Sequence, residues 1–206
     1  AATPALAQES IEKVFGSITA EANKNYGSLE SVNGGITVRE GAVVRSAETV
    51  NGGITIADRA RVGSAETVNG GISLGEGASA GSLEAVNGGI SLDAKASVDG
   101  DVETVNGGIR LKRGARVGGD VETVNGGISL TAAEVAGRLV TTHGDITLED
   151  GSAVRGGILV EKPSSSWFNG NNRKPRVVIG PNSVVGGTLV FEHPVELFVH
   201  ASAKIG

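Results

Sequence analysis

A chain of 206 residues with 33 Gly, no Cys and a formal net charge of −5 is long enough to bury a sizeable core. The mildly acidic balance argues against a nucleic-acid partner, and the lack of Cys excludes disulfides and thiolate metal sites. No apolar run approaches the roughly 20 residues needed to cross a bilayer, so no membrane span is expected.

Residues 1–8 read Ala-Ala-Thr-Pro-Ala-Leu-Ala-Gln, and there is no Met even at position 1. Ala5-Leu6-Ala7 before Gln8 has the form of an Ala-x-Ala cleavage site closing a secretory signal. Residues 1–10 are therefore expected to be a signal-peptide remnant, with an Ala-rich flexible tail as the alternative. The signal reading places the protein in the periplasm or on the cell surface.

From there the chain is governed by repetition. Asn-Gly-Gly-Ile begins at Asn33, Asn51, Asn69, Asn87, Asn106 and Asn125, at spacings of 18, 18, 18, 19 and 19 residues. A fixed period of this length means one supersecondary unit stacked many times. The residue before each Asn is Val32, Val50, Val68, Val86, Val105 or Val124, and the frame extends back to Val14 and on to Thr142. At least eight coils share it, over 11–160.

In the coil from Asn51 the apolar positions are Ile54, Ile56, Ala60, Val62, Ala65 and Val68. Gaps of 2 are steps along one face of a strand, and gaps of 4 are corners; a helix would alternate 3 and 4. Three sides with two inward residues each give a single-stranded triangular β-helix, an all-β solenoid of 18–19 residues per coil, expected to be right-handed. In the 19-residue coils the extra residue is expected on the third side, as a bulge. Asn-Gly-Gly is expected to supply positive φ at a corner. Coils about 4.8 Å apart would stack the six Asn into a hydrogen-bonded ladder.

The aromatics avoid the middle of the rod. Phe15 and Tyr26 lie in the first coil, and Trp167, Phe168, Phe191 and Phe198 lie in the last third. A narrow core has no room for a ring, whereas an end can use one as a lid. Residues 161–176, rich in Ser, Asn and Pro, read as a polar loop. The strand pattern resumes over 177–206 as irregular C-terminal coils and a cap, from Val177 and Ile179 to Ala203 and Ile205.

Two columns and two clusters are candidates for chemistry. Glu30, Glu48, Glu66, Glu84, Glu103 and Glu122 precede the Asn positions by three, with Glu12 in the first coil. They read either as a solvated face or as a cation-binding stripe, since hard cations take carboxylate oxygens. His143 replaces a ladder Asn and is followed by Asp145, Glu149 and Asp150. His143 with Asp145 would suit general acid–base work, or His143 simply stacks on Asn125. Arg110, Lys112, Arg113 and Arg116 meet an acidic partner or pair with the rod's own carboxylates.

The repeated Val-Asn-Gly-Gly-Ile-x-Leu/Val coil resembles two groups of bacterial β-helices: the bactofilins, which are polymer-forming cytoskeletal proteins, and exported adhesin-type proteins with many short β repeats. The resemblance covers about 11–160 and implies a right-handed triangular β-helix without catalytic residues. Bactofilins are cytoplasmic and assemble end to end, so the apparent signal remnant favours the exported group. Ile179-Gly180-Pro181-Asn182-Ser183-Val184-Val185-Gly186 resembles instead the hexapeptide repeat of left-handed β-helix acyltransferases. That repeat wants a small residue where Ile54, Ile72, Ile90, Ile109 and Ile128 stand.

The expected function is a non-catalytic exported scaffold, structural or adhesive, presenting stacked columns to a protein or cell-envelope polysaccharide and self-associating through its ends, with no cofactor or metal. The alternatives are a hexapeptide-type acyltransferase and a polysaccharide-active β-helix using His143 and Asp145.

Overall fold

The computed structural model describes residues 9–163 and 173–206. Strands of three or four residues form the first side of each coil, as in Ile54–Ile56 with Ile54 and Ile56 inward and Thr55 outward. Ten of them stack in one parallel sheet, from Ile18–Ala20 to Glu196–Val199. The other two sides belong to one 16-stranded sheet. In the early coils a single nine-residue strand covers both, as in Arg61–Asn69. Its register is repeat on repeat: Ala47 pairs with Ala65, Glu48 with Glu66 and Asn51 with Asn69. The fold is a β-helix of ten coils with one continuous core of Ile, Leu, Val and Ala.

The inward set differs from expectation at one position per coil. Val32, Val50, Val68 and Val105 are about two-fifths exposed, while Thr49, Thr67, Thr104 and Thr123 are buried. Strand alternation decides this: with Ala65 inward, Glu66 points out, Thr67 in and Val68 out. The sixth inward residue is thus a Thr. Its burial is tolerated because each hydroxyl donates to the carbonyl of the first Gly of an Asn-Gly-Gly corner, Thr49 to Gly34 and Thr67 to Gly52, both at 2.8 Å.

The corners are also built differently from expectation. No Asn-Gly-Gly residue has a positive φ, although Gly16 at the same corner of the first coil does; most positive values belong to the turn after the first side, as at Asn23, Gly41, Arg59, Gly77, Lys95 and Gly114. Asn-Gly-Gly needs its glycines for closeness instead. A Cβ on Gly70 would lie 2.1 Å from the Gly52 oxygen of the neighbouring coil.

The extra residue of the 19-residue coils sits in the corner between the second and third sides, not as a bulge on the third. Ser97–Val98 and Val102–Thr104 replace one long strand, and the third side keeps its pairing, Val102 with Leu83 and Val121. The added length admits Asp101 and Asp120, whose carboxylates accept from the next coil's backbone: Asp120 N donates to Asp101 at 2.8 Å, and Arg138 N to Asp120 at 2.7 Å.

The regular coil pauses after Ile158–Val160 and resumes at Arg176–Ile179, and Ile158 pairs with Leu189 of the next coil. Trp167 and Phe168 lie outside the described residues. Of the other aromatics, Tyr26 is buried with its hydroxyl accepting from Glu21 N at 3.1 Å, and Phe191 packs against the core. Phe15 and Phe198 are not lids. Phe15 pairs with Asn33 in the ladder column and is 78% exposed. Phe198 pairs with the outward Val178, and the Arg176 guanidinium stands 5.2 Å from its ring centroid.

The two ends differ on the first side of the coil, although the N-terminal strand Glu9–Phe15 on the other two sides is itself largely exposed. Near the N-terminus Ile18, Ala20, Tyr26 and Leu29 are at most 4% exposed. In the last coil Leu197, Val199 and Ile205 continue the inward columns yet are over 40% exposed, because no further coil lies on them.

Candidate functional site

The third side carries the most regular outward surface of the rod. Its strands read Glu-x-Val-Asn outward and at the corner, and the register places like on like: Glu30, Glu48, Glu66, Glu84, Glu103 and Glu122 form one column. Beside it run the Val residues. At the corner run Asn33, Asn51, Asn69, Asn87, Asn106 and Asn125, which do form a ladder. Each side-chain amide donates to the Asn carbonyl oxygen of the preceding coil at 2.9–3.0 Å, and Asn33 closes the run on the Val14 carbonyl at 3.3 Å. Every Asn dipole in the ladder therefore points the same way along the rod.

The Glu and Val columns together line a shallow groove of about 290 Å³ that runs along the stack from Glu12 to Val86. Carboxylates stacked in register sense both partial burial and each other. Glu66 is pushed above its ordinary value by burial first, then by Glu48 and Glu84. Glu103 and Glu122 are raised in the same way, burial again leading and neighbouring carboxylates adding. Asp120 differs. Burial pushes it up, but hydrogen bonds from the Arg138 backbone and side chain, and the Arg138 charge, bring it below the usual carboxylate range.

The Glu column does not converge. Among the described residues no three His, Asp or Glu side chains come together at metal-binding geometry. His143 is exposed at the head of the ladder. Asp145 is engaged elsewhere: it accepts from Arg176 N at 2.8 Å and pairs with Arg173, holding the chain where it rejoins the stack. In the basic cluster Lys112 pairs with Asp93, Arg113 with Asp150 and Arg116 with Glu134, all exposed pairs of small energetic weight.

Two features of this region were missed in the sequence. Hydropathy ranks Val above Thr, so the sequence pattern alone does not single out the Thr row. The Asp101, Asp120 and Arg138 corner carried a signal, since Gly-Asp-Val recurs at Gly100 and Gly119. No family model matches the chain, and no curated protein or solved structure matches it.

Proposed function

We propose that the chain is a non-catalytic, exported scaffold, structural or adhesive, that works through the columns on its third side. One observation carries the reading: the most regular surface is repeated outward over six coils rather than gathered at one point. A catalytic centre needs different groups converging on one reacting atom. Here identical groups are spread along a line, the arrangement suited to an extended partner or to a second rod. The coil's resemblance to exported adhesin-type proteins, and the Ala-x-Ala sequence at residues 5–7, support the exported location.

Association through an end has its own support. The inward side chains of the last coil are exposed, so a further coil would stack there, from the same chain or from a second copy.

The test has two arms. A tagged full-length protein is fractionated from its own cells, and the purified chain is sedimented with envelope fragments and alone across concentration. Recovery in the periplasmic or surface fraction, with co-sedimentation or dimerisation, is expected. A cytoplasmic protein overturns the exported location. The absence of both envelope binding and self-association overturns the scaffold.

A further inference from the structure

The outward Val column is unusual in what it keeps. Val occupies the position in all six coils, from Val32 to Val124, although most of these side chains are about two-fifths exposed. The buried neighbour in the same strands is less constant, being Ser31 and Ala85 in two coils and Thr in the other four. Core packing thus does not explain the Val. An exposed apolar line rimmed by charge is the usual mark of an interaction surface.

The molecule shows the same flank covered further along. In the eighth coil the Glu column continues as Val140, paired with Glu122, and the Val column as Thr142. Both point outward, yet Val140 is 3% and Thr142 9% exposed, and His193 Nε2 lies 3.0 Å from the Thr142 carbonyl oxygen. Where the flank turns from Glu-Val to Val-Thr it is covered, and His193 from the C-terminal coils reaches the Thr142 backbone there. From Glu12 to Val86 it is open. Among the described residues, no Lys or Arg forms an ion pair with Glu30, Glu48, Glu66 or Glu84.

We propose that this groove docks a cationic amphipathic helix lying along the coil stack, its apolar stripe on Val32, Val50, Val68 and Val86 and its Lys or Arg residues over the Glu column. The inference deepens the scaffold reading and rests on it. Charge complementarity fixes the sign of the partner. The spacing fixes its conformation. Coils repeat every ~4.8 Å, and a helix presents its stripe every ~5.4 Å. Over the four steps between five coils the mismatch reaches only about 2.4 Å, which long basic side chains absorb. An extended peptide repeats on one face every ~6.7 Å and falls out of step by almost 2 Å at each coil. Five coils span ~19 Å, about 13 helical residues.

The probe is a fluorescent 14-residue Leu/Lys peptide with helical spacing of its Leu residues. Its companions are an alternating Leu/Lys peptide of the same composition, a Leu/Glu helix and a glucosamine oligomer. Anisotropy is read against the full chain at physiological salt. Preferential binding of the helical Leu/Lys peptide is expected, weakened at least tenfold by Val50→Ser with Val68→Ser and by Glu66→Gln with Glu84→Gln. Both pairs are exposed, and a cooperative melt with a midpoint no lower than that of the wild type verifies the fold. Equal binding of the alternating peptide or the glycan overturns the inference, as does binding indifferent to the Val changes. If no peptide binds while envelope fragments still co-sediment, the groove proposal falls and the scaffold stands.

Discussion

Thr67 Oγ1 donates to the carbonyl oxygen of Gly52 at 2.8 Å, linking two coils through the Asn-Gly-Gly corner. The same bond recurs from Thr104 to Gly88 and from Thr123 to Gly107. It is absent where Ala85 stands between Thr67 and Thr104 in the column. Ala85→Thr restores the missing hydroxyl where its neighbours already fit one. It is expected to stabilise the rod by about 1 kcal/mol, and Thr67→Val to cost about 1–2 kcal/mol by stranding a buried carbonyl. Urea unfolding of both variants checks the signs.

The two kinds of glycine separate by substitution. Gly70→Ala drives a Cβ to 2.1 Å from the Gly52 oxygen, a backbone atom fixed by the neighbouring coil. The expected cost is about 3 kcal/mol or more, the range of severe overpacking. Gly77 has φ +63° but nothing nearer than the Arg59 Cγ at 3.9 Å. Gly77→Ala meets only the left-handed conformation and should cost about 1 kcal/mol. Lys95, at φ 60° in the equivalent turn, gives the reverse test. Lys95→Gly should stabilise by up to about 1 kcal/mol, since its ion pair with Glu76 is exposed and long at 3.5 Å.

Ser183 is fully buried, and its hydroxyl has no hydrogen-bond partner among the described residues. Earlier coils hold Ala42, Ala60, Ala78, Ala96 and Ala115 at this inward position. Ser152, one coil below, satisfies its hydroxyl on the Glu149 carbonyl at 2.6 Å. Ser183→Ala removes a stranded polar atom and opens almost no volume. The expected gain is about 1 kcal/mol or more, read as a raised unfolding midpoint. A loss of stability would mean that the hydroxyl has a partner.

Why the coil was readable and its flank was not follows from the same residues. Ile54, Ile56, Ala60, Val62 and Ala65 are apolar, evenly stepped and inward, so periodicity finds them without knowledge of neighbours. Val68 and Thr67 defeat that logic. Hydropathy favours the Val, but alternation from Ala65 buries the Thr, and only the Gly52 carbonyl explains how the hydroxyl is accommodated. Asn-Gly-Gly suggested positive φ because that is the commonest use of Gly in a turn. Its actual constraint, a carbonyl about 2 Å from a would-be Cβ, exists only between stacked coils. The Asn ladder needed no such detail, since identical residues at a fixed period must stack if the coils do. The His143 and Asp145 pairing could not be judged from spacing, because Asp145 is claimed by Arg173 and Arg176 from 28 and 31 residues away.

The carboxylate column makes a prediction opposite to ordinary acid denaturation. Glu66, Glu103 and Glu122 hold their protons more tightly in the folded rod than in the unfolded chain, through burial and mutual repulsion. A raised folded value means that the native state binds more protons than the unfolded one, so this contribution to stability falls as pH rises. The penalty is absent below the ordinary Glu value, grows through the raised values and is complete at neutral pH. Asp120 acts in reverse, its contribution being lost as pH falls through its lowered value. Comparing wild type with the triple change Glu66→Gln, Glu103→Gln and Glu122→Gln removes the contribution of groups that do not touch the column, and leaves that of the column with its coupled neighbours Glu84 and Asp120. The variant should be the more stable at pH 7, and the difference should vanish near pH 4. A difference that is constant with pH would show that the column is fully solvated and that its members do not sense one another.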